Sequence, residues 1–264
     1  MDLEIKEFKY TGRIGQTFIY LLKLFRIFIF RNDWKVLPMA AVIAGLHMTS
    51  YVFAHLIFQV ILSAAQTAIT ILVCKASGVK FLSEGLIYES PRGFIGELAV
   101  TLFLITLSAD ILALMVSAIV HTTTTAMTVM PFMLIVQLVF AGYFSIPEAL
   151  SQVTDLMISK WGTQGLCALG HYNELPAVLI WNRMKAAGTV DLGGVMKLSD
   201  VMNMIEENGM RDRVLAELGK ASQNANYVST PENLIICWAH LLAFIGVFAF
   251  ITIVFMEFID RDKR

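Results

Sequence analysis

His55, Gln59 and Gln66 fall at i, i+4 and i+11 of an otherwise apolar run, residues 51–73. At 3.6 residues per helical turn they lie within about 40° of one line, and Thr70 extends that line. A polar stripe on an oily helix has two readings. It lines a path for a polar solute, or it hydrogen-bonds to a neighbouring helix, which also needs polar groups on one face. Asp110 is the single acid deep in the next apolar run, residues 94–120. A charged carboxylate there costs several kcal/mol unless it is paired or wet. It could hold a proton or a cation, or pair with His55 or with backbone. Gln137, in the apolar run 126–144, is the remaining candidate to line such a path.

The elements that must position these residues are membrane helices. The 264-residue chain is 57% hydrophobic and only 16% charged, with a mean hydropathy of +0.68. That apolar excess needs lipid rather than a larger core. About 20 residues cross the hydrocarbon layer as a helix, and residues 94–120 exceed that with two charges, Glu97 and Asp110. A net charge of −1 leaves no basic stripe for nucleic acid. Cys74, Cys167 and Cys237 lack metal-ligand spacing, and Cys167 alone falls in a long loop. It is either a buried free thiol or a link to its copy in a dimer. No phosphate loop, zinc-protease motif or serine–lysine dyad is present. The nearest approach to a phosphate loop, Gly219, Lys220, Ala221 and Ser222, has no glycine at the required upstream spacing.

In chain order, residues 1–15 are polar, with no cleavable leader expected. Residues 16–30 are apolar but carry Lys23 and Arg26, which predicts an amphipathic helix lying in the membrane interface, or otherwise the first part of a long spanning helix. Residues 1–35 form this cytoplasmic connecting segment. Residues 36–145 are the membrane region: a half-length apolar piece at 36–46, then full spans at 51–73, 94–120 and 126–144. Residues 146–231 are a hydrophilic lobe with nine acidic and seven basic residues. Helical spacing recurs there over 147–169 and 199–218, with Gly188, Gly193 and Gly194 marking turns between them. Thr230, Pro231 and Glu232 read as a cap, a first-turn proline and an acid opening the last helix. Residues 232–264 hold that fourth full span and a charged tail. The predicted fold is an all-α polytopic membrane bundle: four full spans plus a partial one, an N-terminal interfacial helix and one helical extracellular loop domain. Lys23, Arg26, Arg31 and Lys35, with Arg261, Lys263 and Arg264, predict both termini in the cytoplasm and the lobe outside.

The hairpin at 94–144 resembles the ABC-2 type permeases, the membrane half of many ATP-binding-cassette exporters and of the G-subfamily half-transporters. Ser117 stands in the turn that closes a small-residue helix. His121 and Thr122 to Thr125 form the polar corner. Pro131 comes early in the next span, which ends Phe140, Ala141, Gly142, Tyr143, Phe144. Residues 159–176, SKWGTQGLCALGHYNELP, continue the likeness, which covers roughly 16–176 and the last helix. It implies a transport subunit without its own ATPase and with no bound cofactor. ATP and Mg would act through a partner ATP-binding subunit. A second permease copy would complete the substrate path in the cell membrane. Phe140, Tyr143 and Phe144 then read as an exit plug, or otherwise as an interfacial aromatic belt. The four threonines read as helix caps at a wet corner, or as a sensor of the ATPase. Trp161 and Trp181 lie in the external loop, whose helices could pack onto the mouth of a dimer. The family usually has six spans, whereas residues 44–59 here resemble the start of a first span joined at Leu46 and His47 to the start of a third. An internal deletion, or a sequence joined across a gap, would remove the second helix and the coupling helix that meets the ATPase; otherwise residues 36–46 are a re-entrant or kinked piece. The rival expectation is a non-transporting assembly or sensory subunit whose extracellular domain binds a ligand.

Overall fold

The computed structural model describes residues 13–30, 48–79, 81–82, 84–88, 90, 92–120, 122–141, 151–188, 191–192, 196–220 and 224–262. The partial span 36–46, the join between Leu46 and His47, and Gly142, Tyr143 and Phe144 fall outside them. The described residues are nearly all helical, as their composition predicts, with one small β-hairpin. The chain divides into two compact units, described separately.

The first unit comprises Met1–Gly78, Phe103–Val136 and Leu242–Arg264. Helix α1 (Arg13–Phe30) packs on α2 (Met48–Ala76). Tyr20 and Leu24 are buried against Ala54 and Phe58, with Leu21, Phe25 and Leu62 around them. The ring pairs Tyr20–His55, 6.0 Å apart, and Phe25–Phe58, 5.4 Å apart, advance together along both helices. The two helices therefore run side by side in the same direction. Tyr20, Leu24 and Phe25 of the helix expected in the interface thus find a helical partner. Lys23 and Arg26 remain exposed.

Helix α3 (Gly93–Ile119) is apolar on every side, as a helix surrounded by lipid and protein should be. Helix α4 (Thr123–Val139) follows the threonine corner. The Thr122 hydroxyl accepts the Thr125 N–H at 3.2 Å and contacts the Thr125 hydroxyl at 2.6 Å, so the corner caps α4. Three helical segments among the described residues are long and apolar enough to cross a membrane: Val52–Ala76, Gly93–Ile119 and Pro231–Glu257. The fourth expected span is shorter than 126–144. Its helix closes at Val139, where the Ala141 N–H bonds the Leu138 carbonyl at 3.3 Å and tightens the chain into a turn. The apolar stretch Thr124–Val139 rises about 24 Å, short of the roughly 30 Å hydrocarbon core.

The second unit comprises Val79–Leu102 and Gln137–Leu241. It holds α5 (Ser151–Asp155), α6 (Ile158–Leu169) and α7 (Leu175–Ala186), then strands β1 (Asp191–Leu192) and β2 (Met196–Lys197), paired antiparallel with Asp191 opposite Lys197. Helices α8 (Leu198–Glu207) and α9 (Arg211–Gly219) and a 3₁₀ turn at Ala225–Tyr227 lead to α10 (Pro231–Asp262), whose first three turns belong to this unit. Phe94, Leu169 and Leu234 form a core with Phe81, Leu86 and Trp238 packed against it. The lobe thus shares its core with the starts of α3 and α10. The expected single helix at 199–218 is two helices, because Gly209 at φ 64° reverses the chain after Asn208. Thr230 stands just before α10, and its hydroxyl accepts the Asn233 N–H at 3.4 Å. Trp181 is 1% exposed, buried inside the lobe.

Candidate functional site

The polar face of α2 meets Asp110 in the first unit. At 100° per residue, His55, Gln59, Ser63, Gln66, Thr67 and Thr70 all fall within an arc of about 120°. The stripe is therefore broader than the line through His55, Gln59 and Gln66. Its centre of chemistry is Ser63, fully buried, whose hydroxyl donates to Asp110 Oδ2 at 2.8 Å. This bond ties the middle of α2 to α3. The partner expected for Asp110 was His55 or backbone; it is a side-chain hydroxyl two turns further along α2. His55 is half-buried and rests against the Tyr20 ring instead.

The rest of the stripe divides by burial. Gln59 is half-buried, with its amide oxygen inside and no partner for that atom among the described residues. Thr67 is 6% exposed and its hydroxyl is likewise without a described partner. Gln66 and Thr70 are exposed, and the Thr70 hydroxyl returns to the Gln66 carbonyl at 2.9 Å. Ser63 and Thr67 went unnoticed in the sequence because single hydroxyls in an apolar helix usually bond their own backbone. Their i, i+4 spacing from Gln59 was the available signal.

Gln137 is half-buried and bonded to Ser159. Its side-chain oxygen accepts the Ser159 N–H at 3.1 Å, and its backbone carbonyl accepts the Ser159 hydroxyl. Both bonds lie in the second unit and tie the last turn of α4 to the start of α6. Phe140, half-buried, begins the turn after α4. Of the aromatic trio it alone is among the described residues.

The second unit holds a buried acid that sequence reasoning passed over. Glu97, 1% exposed, accepts the N–H groups of Leu86, Ile87 and Tyr88 at 2.7, 2.7 and 2.8 Å. Three amide donors satisfy a carboxylate that would otherwise be costly to bury. The same helix turn continues the network: the Thr101 hydroxyl donates to the Glu97 carbonyl at 2.8 Å and accepts the Trp238 ring N–H at 2.9 Å. A Cβ on Gly93 would stand 1.9 Å from the Tyr88 carbonyl oxygen, so the loop closes against bare backbone there. Glu97 therefore folds the loop before α3 rather than performing chemistry. Nearby, Trp161 stacks on His240 at 3.6 Å and 7°, joining α6 to α10.

No three metal-ligating side chains cluster among the described residues. Gly219 and Lys220 close α9 rather than open a helix, so they lack the strand-to-helix geometry of a phosphate loop. Long apolar helices, one intramembrane carboxylate and a polar helix face define a multi-pass membrane protein of the transporter class. The chain belongs to the ABC-2 type transporter family, whose pattern it matches over residues 16–169. No curated protein and no solved structure matches the chain. Membership makes it a membrane transport subunit, of a kind that normally works with an ATP-binding partner.

Proposed function

We propose that this chain is the permease subunit of an ATP-driven ABC-2 exporter, related to the G-subfamily half-transporters. The family match across the membrane region, residues 16–169, carries this reading. A second permease copy, identical or different, completes the substrate route. ATP and Mg bind to a separate nucleotide-binding subunit, whose closure shifts the helices between two packings, one open inward and one outward. The subunit sits in the cell membrane with both termini cytoplasmic and residues 146–231 outside. Positive charge flanking the first and last helices supports that orientation. The polar face of α2 with Asp110 is the proposed substrate path, and Phe140, Tyr143 and Phe144 the proposed exit plug. The join between Leu46 and His47 is where the family's second helix and coupling helix would be absent. Sequencing the coding region across that join tests this directly.

The transport reading is tested by co-purification. An ATP-binding subunit should come down with the tagged chain, and the reconstituted pair should hydrolyse ATP faster with transported compounds. If no ATPase associates and hydrolysis never responds, the chain is instead an assembly or sensory subunit.

A further inference from the structure

The hydrophilic lobe holds a cavity of about 400 Å³, and no residue of the proposed path lines it. One wall is a single face of α9, where Asp212, Leu215, Ala216 and Gly219 recur at i, i+3, i+4 and i+7. That face runs about 10 Å along the helix axis. The other wall is the first turn of α7 together with Asn173 and Glu174 just before it. The two walls meet at small residues. A Cβ added to Gly219 would stand 3.8 Å from the Ala177 Cβ and from the Asn173 carbonyl oxygen, and Ala177 is buried there. Toward Asp212 the face of α9 opens: Leu215 is half-buried, and Ala216 and Asp212 are exposed. Asn173 is held rigidly, since its side-chain N–H donates to the Asn224 carbonyl at 3.0 Å and its oxygen accepts the Asn224 N–H at 3.1 Å.

A cavity of this size, apolar with a few fixed polar groups, matches the usual build of a small-ligand site. Its charge selects among ligands. Glu174 and Asp212 line it, and no lysine, arginine or histidine does. Glu174 already faces His171 Nδ1 at 3.3 Å. Asp212 forms no ion pair or hydrogen bond among the described residues. An anion meets two like charges here. A bare metal ion finds no cluster of three ligating side chains among the described residues. A neutral apolar compound gains contact with Leu215, Ala216 and Ala177 but leaves both carboxylates unused. An organic ammonium uses both parts of the lining: its N–H donors make charge-assisted hydrogen bonds to a carboxylate, and its hydrocarbon covers the apolar wall.

We propose that the cavity between α7 and α9 binds a small primary amine with an apolar body. Asp212 receives the ammonium group, Leu215, Ala216 and Ala177 carry the hydrocarbon, and Glu174 adds a second negative charge to the lining. The lobe is then a receptor for organic ammonium compounds. This goes beyond the permease reading and does not depend on an ATPase partner.

The test measures binding to the full chain in phosphatidylcholine nanodiscs at neutral pH, with empty nanodiscs as the blank. The probes share one scaffold: phenethylammonium, the neutral 2-phenylethanol and the anionic phenylacetate. Phenethylammonium should bind at least about tenfold more tightly than 2-phenylethanol, the difference expected of a charge-assisted contact, and phenylacetate should not bind. Asp212→Asn should erase the preference for the amine. Glu207→Gln removes an exposed acid of α8 that does not line the cavity, and should leave the preference intact. Ala216→Phe fills the slot from an exposed position, so the melting temperature should hold while amine and alcohol binding are both lost. Should Asp212→Asn fail to yield monodisperse protein, Glu174→Gln takes its place, with a several-fold loss for the amine alone expected. Absence of amine binding, or equal binding of amine and alcohol, overturns the site. So does a preference that survives Asp212→Asn, one that Glu207→Gln removes equally, or amine binding unchanged by Ala216→Phe. Co-purification of an ATPase bears on the permease reading alone, so either can fail without the other.

Discussion

At the scale of single residues, the two buried acids have opposite environments and should respond differently to substitution. Glu97 is saturated by three backbone N–H groups. Glu97→Gln keeps the volume but turns an NH₂ toward donors, leaving at least one amide unpaired. It should lower unfolding stability by about 2–3 kcal/mol and expose the loop before α3 to protease, both measurable in detergent. Asp110→Asn faces no such donor array and should leave the melting temperature nearly unchanged. Two further side chains make pH-dependent statements. Burial raises the Cys167 thiol above its ordinary value of 9.0, so at neutral pH it stays protonated. Maleimide should therefore label it slowly in the folded protein and quickly once denatured. The hydrogen bond from Lys185 lowers the Glu206 carboxyl below its ordinary 4.5. A lowered carboxylate value means the pair stabilises the fold above the unfolded value and loses that contribution as pH falls through the folded one. Amide exchange in α8 should rise in that acid range, and Lys185→Met should remove the acid-dependent step.

At the scale of elements, the spans were legible because lipid demands long apolar runs, and Val52–Ala76, Gly93–Ile119 and Pro231–Glu257 carry that signal alone. The cap at Thr230 was legible for a local reason: the residue type, the following proline and the acid all agree. What was hidden depended on partners distant in sequence. Nothing near Tyr20 announces His55, so the packing of α1 along α2 could not be read from the sequence. Gln137 reads in sequence as a path residue, and its bond to Ser159, 22 residues on, has no local signal. The break between α8 and α9 was missed although Asn208 and Gly209 form a familiar turn pair, because the apolar periodicity runs through it. The α1–α2 contact makes a prediction at this scale. Between helices in lipid, packing rather than water exclusion supplies the attraction. Phe58→Ala should cost about 2 kcal/mol and free α1, seen as faster amide exchange over residues 13–30 with α3 unaffected.

At the scale of the whole molecule, the hydrophilic lobe is anchored rather than tethered. Gln164 of α6 donates to Asn233 of α10 at 2.8 Å, and Asn233 in turn donates to the Asn226 and Val228 carbonyls at 3.1 and 2.9 Å. Asn233→Ala would leave Gln164, 7% exposed, without that acceptor and release two carbonyls. The expected cost is about 2–4 kcal/mol, with the lobe losing protection against protease while the apolar spans remain folded. The topology proposed above has its own readout. Protease added to intact cells should cut within residues 146–231 and spare the C-terminal tail; the reverse pattern would invert the assignment.

Helix α4 has a consequence for the surrounding lipid. A helix whose oily length falls several ångströms short of the ordinary bilayer draws the neighbouring leaflets inward, at a cost of a fraction of a kcal/mol for each ångström. Short-chain phospholipids relieve that dimple, so they should gather around this face and favour the protein over thick, sterol-stiffened membrane.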